Sequence, residues 1–346
     1  MTVRLKPVSE QVIVITGASS GIGLATAREA AGRGARVVMN SRDGVDLERA
    51  AHDIRTAGGR VVYDVGDVGD LDAMERLAAL AVREFGAFDT WVNNAGVSIY
   101  GMIADVPLED AHRLFRTNYW GVVHGSLVAA AHFRRRGMRD GSGCALINVG
   151  SILSETGYPL QGYYAASKHA VKGFTDSLRL DLQKEAVPVS VSLVEPGPID
   201  TPFPAHAGNY LGVEPTHMPP VYAPEVVADA ILECARHPHR TLLVGGGAKM
   251  LAMMEKYAPG LADRQKMAAF EQQRTDEPAR DDATLWEPRP GDGRIHGGYP
   301  GHVMQSSAYT AMAKRPAGTA GAVLGLAAVG LGIGFALGAF GAERAD

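Results

Sequence analysis

Cysteine is scarce: Cys144 and Cys234 are the two in 346 residues. Both stand in apolar stretches without metal-ligand spacing, which excludes a disulfide framework and reads as buried free thiols in a reducing compartment. Aromatic residues are few, 7% of the chain, and none interleaves with a Lys/Arg cluster. The net charge is −4, so there is no basic field for a polyanion and nucleic acid is excluded as a partner. The first residues, MTVRLKPVSEQ, lack the apolar run of a secretory signal, so the main globular part is expected in the cytoplasm. His237 and His239 flank a proline and read as surface groups, and no metal site is expected. What remains is a globular composition, 46% hydrophobic and 21% charged, long enough for one large α/β unit with appendages.

Between residues 11 and 245 short β-branched runs alternate with helical stretches, the pattern of a parallel sheet covered on both faces. The strands are expected over Val12–Thr16, Arg36–Asn40, Arg60–Asp64, Thr90–Asn93, Ala145–Val149, Val189–Val194 and Thr241–Val244. The fold class is therefore α/β, a doubly wound Rossmann-type sheet of seven parallel strands. In Leu71–Phe85 the residues Leu71, Met74, Leu77, Ala78, Ala81 and Phe85 share one helical face.

Residues 1–245 are thus expected to form one α/β domain, of the doubly wound kind whose crevice can take a dinucleotide. Residues 246–315 change character: Pro259, RTDEPARDD and WEPRPGDGRIHGGYPG break every long period, predicting short helices and an irregular segment. Residues 316–342 carry no charge. A helix there could cross a bilayer, which needs about 20 apolar residues. Its glycines, in GxxxG pairs such as Gly321/Gly325 and Gly330/Gly334, suit helix packing within a membrane. Lys314 and Arg315 would hold the near flank on the cytoplasmic side, with residues 343–346 as a short tail beyond.

The first strand runs straight into TGASSGIG. Gly17 permits a tight turn, Gly21 lets backbone approach a pyrophosphate, and Gly23 lets helix and strand pack closely. The helix beginning near Ile22 adds N–H donors and partial positive charge. At the end of the second strand a carboxylate would select NAD(H) through ribose hydroxyls, and a cation would select the 2′-phosphate of NADP(H).

With TGASSGIG come NNAG (Asn93–Gly96), Ser151 thirteen residues before YAASK (Tyr164–Lys168), and Pro196-Gly197. In this order and spacing, over roughly residues 9–245, the chain resembles the short-chain dehydrogenase/reductase family. The resemblance implies cofactor binding by Gly17, Ser19, Ser20, Gly21, Ile22 and Gly23 in the first turn and by Asn94, Ala95 and Gly96 after the fourth strand. It further implies Pro196, Gly197, Ile199 and Thr201 beside the carboxamide. Ser41 takes the family's acidic position with Arg42 next, which implies NADP(H); Asp43 leaves NAD(H) open. Asp64 and Val65 are matched to the adenine-binding pair.

Hydride transfer to a carbonyl generates an alkoxide that must be protonated. Tyr164 and Lys168 lie one helical turn apart, so the ammonium would stabilise the phenolate and lower a pKa that is ~10 when unperturbed. Tyr163 has Ser167 at that spacing and is the poorer acid. Ser151 at the carboxyl end of the fifth strand would hold the substrate oxygen, with Ser154 as the weaker alternative. The resemblance adds Asn118 in a proton path to Lys168, and Lys168 on the nicotinamide ribose. The loop Phe203–Tyr222, rich in Pro, Tyr, Leu and Met, falls where the family has its substrate lid and, with the apolar tail, suggests a lipophilic ketone or alcohol. A catalytically silent NADP(H)-binding sensor or scaffold is the competing class, and the joint presence of Asn118, Ser151, Tyr164 and Lys168 favours the enzyme. A homo-oligomer through the long helices is a family expectation.

Overall fold

The computed structural model describes residues 3–140, 143–280 and 284–314. Seven strands form the main sheet: β1 (Val12–Thr16), β2 (Arg36–Ser41), β3 (Arg60–Val65), β4 (Thr90–Asn93), β5 (Cys144–Val149), β6 (Val189–Pro196) and β7 (Thr241–Val244). Their spatial order is 3-2-1-4-5-6-7, all parallel. The winding reverses between β1 and β4, and a doubly wound sheet opens a ligand crevice at the carboxyl ends there.

The helices are α1 (Gly21–Gly32), α2 (Gly44–Thr56), α3 (Leu71–Phe85), α4 (Leu108–Phe115), α5 (Gly121–Asp140), α6 (Gly162–Lys184) and α7 (Pro224–Arg236). Alternation along the strands sends successive side chains to opposite faces. Ile13, Ile15, Val37 and Met39 join Leu24, Leu47, Ile54 and Ile231 on one side. Val12, Val14 and Val38 join Met74, Leu77, Phe133, Leu146 and Leu178 on the other. Each such side chain stabilises the fold by roughly 1.5–3 kcal/mol when fully buried, which is why unbroken apolar runs mark these strands so sharply. In α3 the buried face is Ala73, Met74, Leu77, Leu80 and Ala81; Leu71, assigned to that face from the sequence, is exposed because it is the first residue after the N-cap Asp70.

Beyond β7 come α8 (Gly246–Tyr257), α9 (Pro259–Ala268) and α10 (Ala308–Ala313). Arg274–Pro278 pairs antiparallel with Val213–Pro215, tying the extension to the loop after β6. Among the described residues no helix is long and apolar enough to cross a membrane. The segment 316–342, on which the membrane-anchor expectation rests, lies outside the described residues.

Candidate active site

The turn after β1 is shaped by glycine where nothing larger fits. Gly17 has φ +64° and a Cβ there would lie 2.7 Å from Ala95 Cα; a Cβ on Gly23 would run into the carbonyl oxygen of Gly17. Gly21, at φ +52°, faces the Thr201 side chain. Asn94 fixes the turn, its Nδ2 donating to Thr16 O at 3.0 Å and Gly17 O at 3.1 Å. Ser19 Oγ and Ser41 Oγ lie 2.9 Å apart at the end of β2.

This turn forms one wall of a cavity of about 440 Å³ that also contains Ala95, Gly96, Ser151, Tyr164, Lys168, Pro196, Gly197, Ile199 and Thr201. Residues separated by up to 184 positions therefore meet in one crevice. The glycine cradle at a helix start and the hydroxyls at the β2 end fit a dinucleotide. Of the expected cofactor set, Gly23 packs behind the turn and does not line the cavity.

Asp64 and Val65 do not line it either; Asp67 and Val68 do. The sequence repeats Asp-Val-Gly-Asp-Val-Gly-Asp over 64–70. The strand runs to Val65, so the first copy is consumed by β3 and the second turns into the crevice. Asp67 is held below the usual carboxylate range by the Gly69 N–H and the Arg113 guanidinium, against an opposing effect of burial that is the largest single influence.

Arg42 reaches the cavity rim, but its fork is directed elsewhere: Nη2 donates to Thr284 O at 2.7 Å, and Nη1 to Trp286 O at 2.8 Å and Leu285 O at 3.1 Å. Burial, then the charge of Arg113, pushes its pKa down.

At the other end, Tyr164 projects from α6 into the same cavity as Ser151. Burial pushes its pKa up to about 12, and the neighbouring Ser151 hydroxyl opposes this. The expected lowering by Lys168 is thus corrected. The Lys168 Nζ stands 5.7 Å from the Tyr164 ring centre and donates to Val149 O at 2.9 Å, and burial brings its own pKa down to about 8. A phenol that stays protonated across neutral pH can hand its proton to an oxyanion beside it.

Ser151 Oγ also accepts the Leu153 N–H at 3.1 Å. Ser154 Oγ accepts the Ser151 N–H at 3.2 Å, so Ser154 braces the backbone of Ser151. Asn118 lies in a π-turn, Arg116–Trp120, with its side chain wholly occupied: Oδ1 accepts the Val97 N–H at 2.8 Å, and Nδ2 donates to Val97 O at 2.9 Å and Ser167 Oγ at 3.1 Å. It ties the loop after β4 to α6.

Phe203 packs edge-on against Tyr164, ring centres 5.6 Å apart. Met218, Met250, Leu251, Met254 and Tyr158 line the same end, so α8 and the loop after β6 enclose it in apolar side chains. His217 joins them; burial pushes its pKa down to about 4, leaving it neutral. The part of α8 in this wall could not be foreseen, because a Met-rich helical face reads equally as core.

Residues 11–209 match the short chain dehydrogenase family. The chain is 42% identical over 331 residues to the Uncharacterized oxidoreductase YxnA of Bacillus subtilis, covering 94% of this chain and 91% of that protein. Identity to the 1-deoxy-11-beta-hydroxypentalenate dehydrogenase of Streptomyces avermitilis is 40% over 192 residues, 55% of this chain and 66% of that one. A solved short chain dehydrogenase/reductase from Burkholderia phymatum, in complex with NAD, superposes with a TM-score of 0.64 at 25% identity, over 79% of this chain and 98% of that one. The chain belongs to the short-chain dehydrogenases, oxidoreductases that act on CH–OH groups with a nicotinamide cofactor.

Proposed function

We propose that this protein interconverts a lipophilic ketone and its secondary alcohol with NADP(H). The observation that carries the reading is that Ser151, Tyr164 and Lys168 meet at the carboxyl end of the sheet in the same crevice as the glycine turn. The bound nicotinamide supplies or takes up the hydride. Ser151 holds the carbonyl oxygen, and Tyr164 gives it a proton as negative charge develops. Lys168, held by Val149 O, keeps a positive charge beneath them. Asn118 positions the loop after β4 and acts through it.

The preference for NADP(H) is supported by Ser41, a neutral hydroxyl where a carboxylate would repel a phosphate. Lipophilicity is supported by the Met, Leu, Phe and Tyr lining of the far end and by the similarity to the 1-deoxy-11-beta-hydroxypentalenate dehydrogenase. Residues 316–342 tether the catalytic domain to a membrane from its cytoplasmic side, on the strength of their uncharged composition. Exposed Trp120, Leu127 and Leu180, at or on the long helices α5 and α6, support a homo-oligomer. Incubation with NADPH and a panel of ketones graded in polarity tests the substrate reading; turnover of hydrophilic ketoses alone would refute it.

A further inference from the structure

The glycine- and proline-rich stretch WEPRPGDGRIHGGYPG has no part in the proton relay. Residues 284–299 lie as a strap along the rim of the dinucleotide crevice and are fastened at three places. On the β2 side Arg42 donates to the carbonyls of Thr284, Leu285 and Trp286. There Arg113 donates to Leu285 O at 3.1 Å and stacks 5.7 Å from the Trp286 ring centre, and Trp286 Nε1 donates to Asp110 at 2.6 Å. Arg49 of α2 holds Gly293 O at 3.0 Å.

In the middle, Gly21 of the glycine turn donates its N–H to Arg294 O at 2.9 Å. On the β6 side Asp200 Oδ1 accepts the N–H groups of Gly297 at 3.1 Å and Tyr299 at 2.9 Å, while His206 meets Asp292 at 3.0 Å. The strap lies so close that a Cβ on Gly293 would stand 2.8 Å from Ser19 O and 2.6 Å from the Asp46 carboxyl carbon. It therefore crosses from one half of the crevice to the other over the phosphate turn, and Pro288, Arg289, Asp292 and Gly293 line the cavity.

We infer that this strap is a third wall of the dinucleotide site and that Arg42 is its clamp, a positioning residue that retains the whole dinucleotide and does not select its 2′-phosphate. The inference rests on the nicotinamide-cofactor reading above, and departs from the role the sequence implies for Arg42. A guanidinium that serves as a phosphate ligand discriminates NADPH from NADH; one that fastens a lid affects both alike, and chiefly through release.

The full chain and its Arg42→Ala, Arg49→Ala and Trp286→Ala variants are to be compared in equilibrium fluorescence binding and stopped-flow release of NADPH and of NADH. Arg49 and Trp286 do not line the cavity, so they report the strap even if Arg42→Ala fails to fold. The expected result is that release of both dinucleotides quickens by roughly tenfold or more in each variant, the loss expected for a charge-assisted hydrogen bond. The ratio of NADPH to NADH affinity stays that of the wild type. The proposal is overturned if Arg42→Ala weakens NADPH alone, or if Arg49→Ala and Trp286→Ala release both dinucleotides at the wild-type rate. A wild type that binds NADH more tightly than NADPH would refute the NADP(H) preference and leave the strap standing, since the release rates are read separately for each dinucleotide.

Discussion

Lys168 gives its ammonium hydrogen bond to the Val149 carbonyl at 2.9 Å and not to the phenol one turn before it. The strand end, β5, thus fixes the cation, and α6 fixes the acid. A charge so buried is costly to keep, and its pKa falls to about 8. The positive charge is present below that value and lost above it. Carbonyl reduction is expected to decline as pH rises through about 8. In Lys168→Arg, whose guanidinium stays charged, that limb should vanish from the kcat/KM profile; its persistence would assign it to another group.

The two serines beyond β5 are expected to separate kinetically. Ser151→Ala removes the hydroxyl proposed to hold the substrate oxygen and should lower kcat by ~10²–10³-fold, the effect of losing one oxyanion donor. Ser154→Ala removes a brace on the Ser151 backbone and should cost about 1 kcal/mol of stability with a much smaller kinetic effect. Steady-state rates beside urea titrations distinguish them, and equal kinetic losses would contradict the assignment.

For Asn118→Ala the buried N–H and carbonyl of Val97 lose both partners. At about 1–3 kcal/mol per unsatisfied group, stability should fall by several kcal/mol in denaturant titration. A variant of wild-type stability and abolished activity would instead make the side chain a chemical relay.

Glu195, fully buried at the end of β6, has its pKa pushed up to about 8 by burial and then by Glu155, with Lys172 opposing. Asp176 and Tyr309 also face it. A carboxyl raised in the folded state contributes stability that is full below its ordinary pKa and lost as pH rises toward about 8. Glu195→Gln should flatten the fall of Tm between about pH 5 and pH 8 and melt higher than wild type at the upper end. A variant that melts lower there would show the carboxylate to be a stabilising partner.

The sheet was legible because its central strands are buried on both faces: the runs at Val12–Thr16 and Thr90–Asn93 begin and end where the sequence places them, as does the edge strand Thr241–Val244. The crevice was legible because Gly17 and Gly23 leave no room for a side chain. What the sequence hid lies in orientation and in backbone. A basic residue after β2 announces a charge, but only the fold reveals that Arg42 spends it on three carbonyls. The tandem repeat at 64–70 offers two equivalent acids, and the length of β3 chooses between them. The strap is fastened mostly through main-chain amides and carbonyls, which every residue possesses, so periodicity does not mark its course.

The account stands on Tyr164 as the group that protonates the developing alkoxide, and Tyr164→Phe, which keeps the ring against Phe203 and removes the hydroxyl, tests it most directly. NADPH is to be bound to the variant and its oxidation by a ketone followed in a single turnover. Undiminished NADPH binding with a rate lowered by at least ~10²-fold, the scale of general acid catalysis, is the predicted result. Oxidation at the wild-type rate would contradict the account.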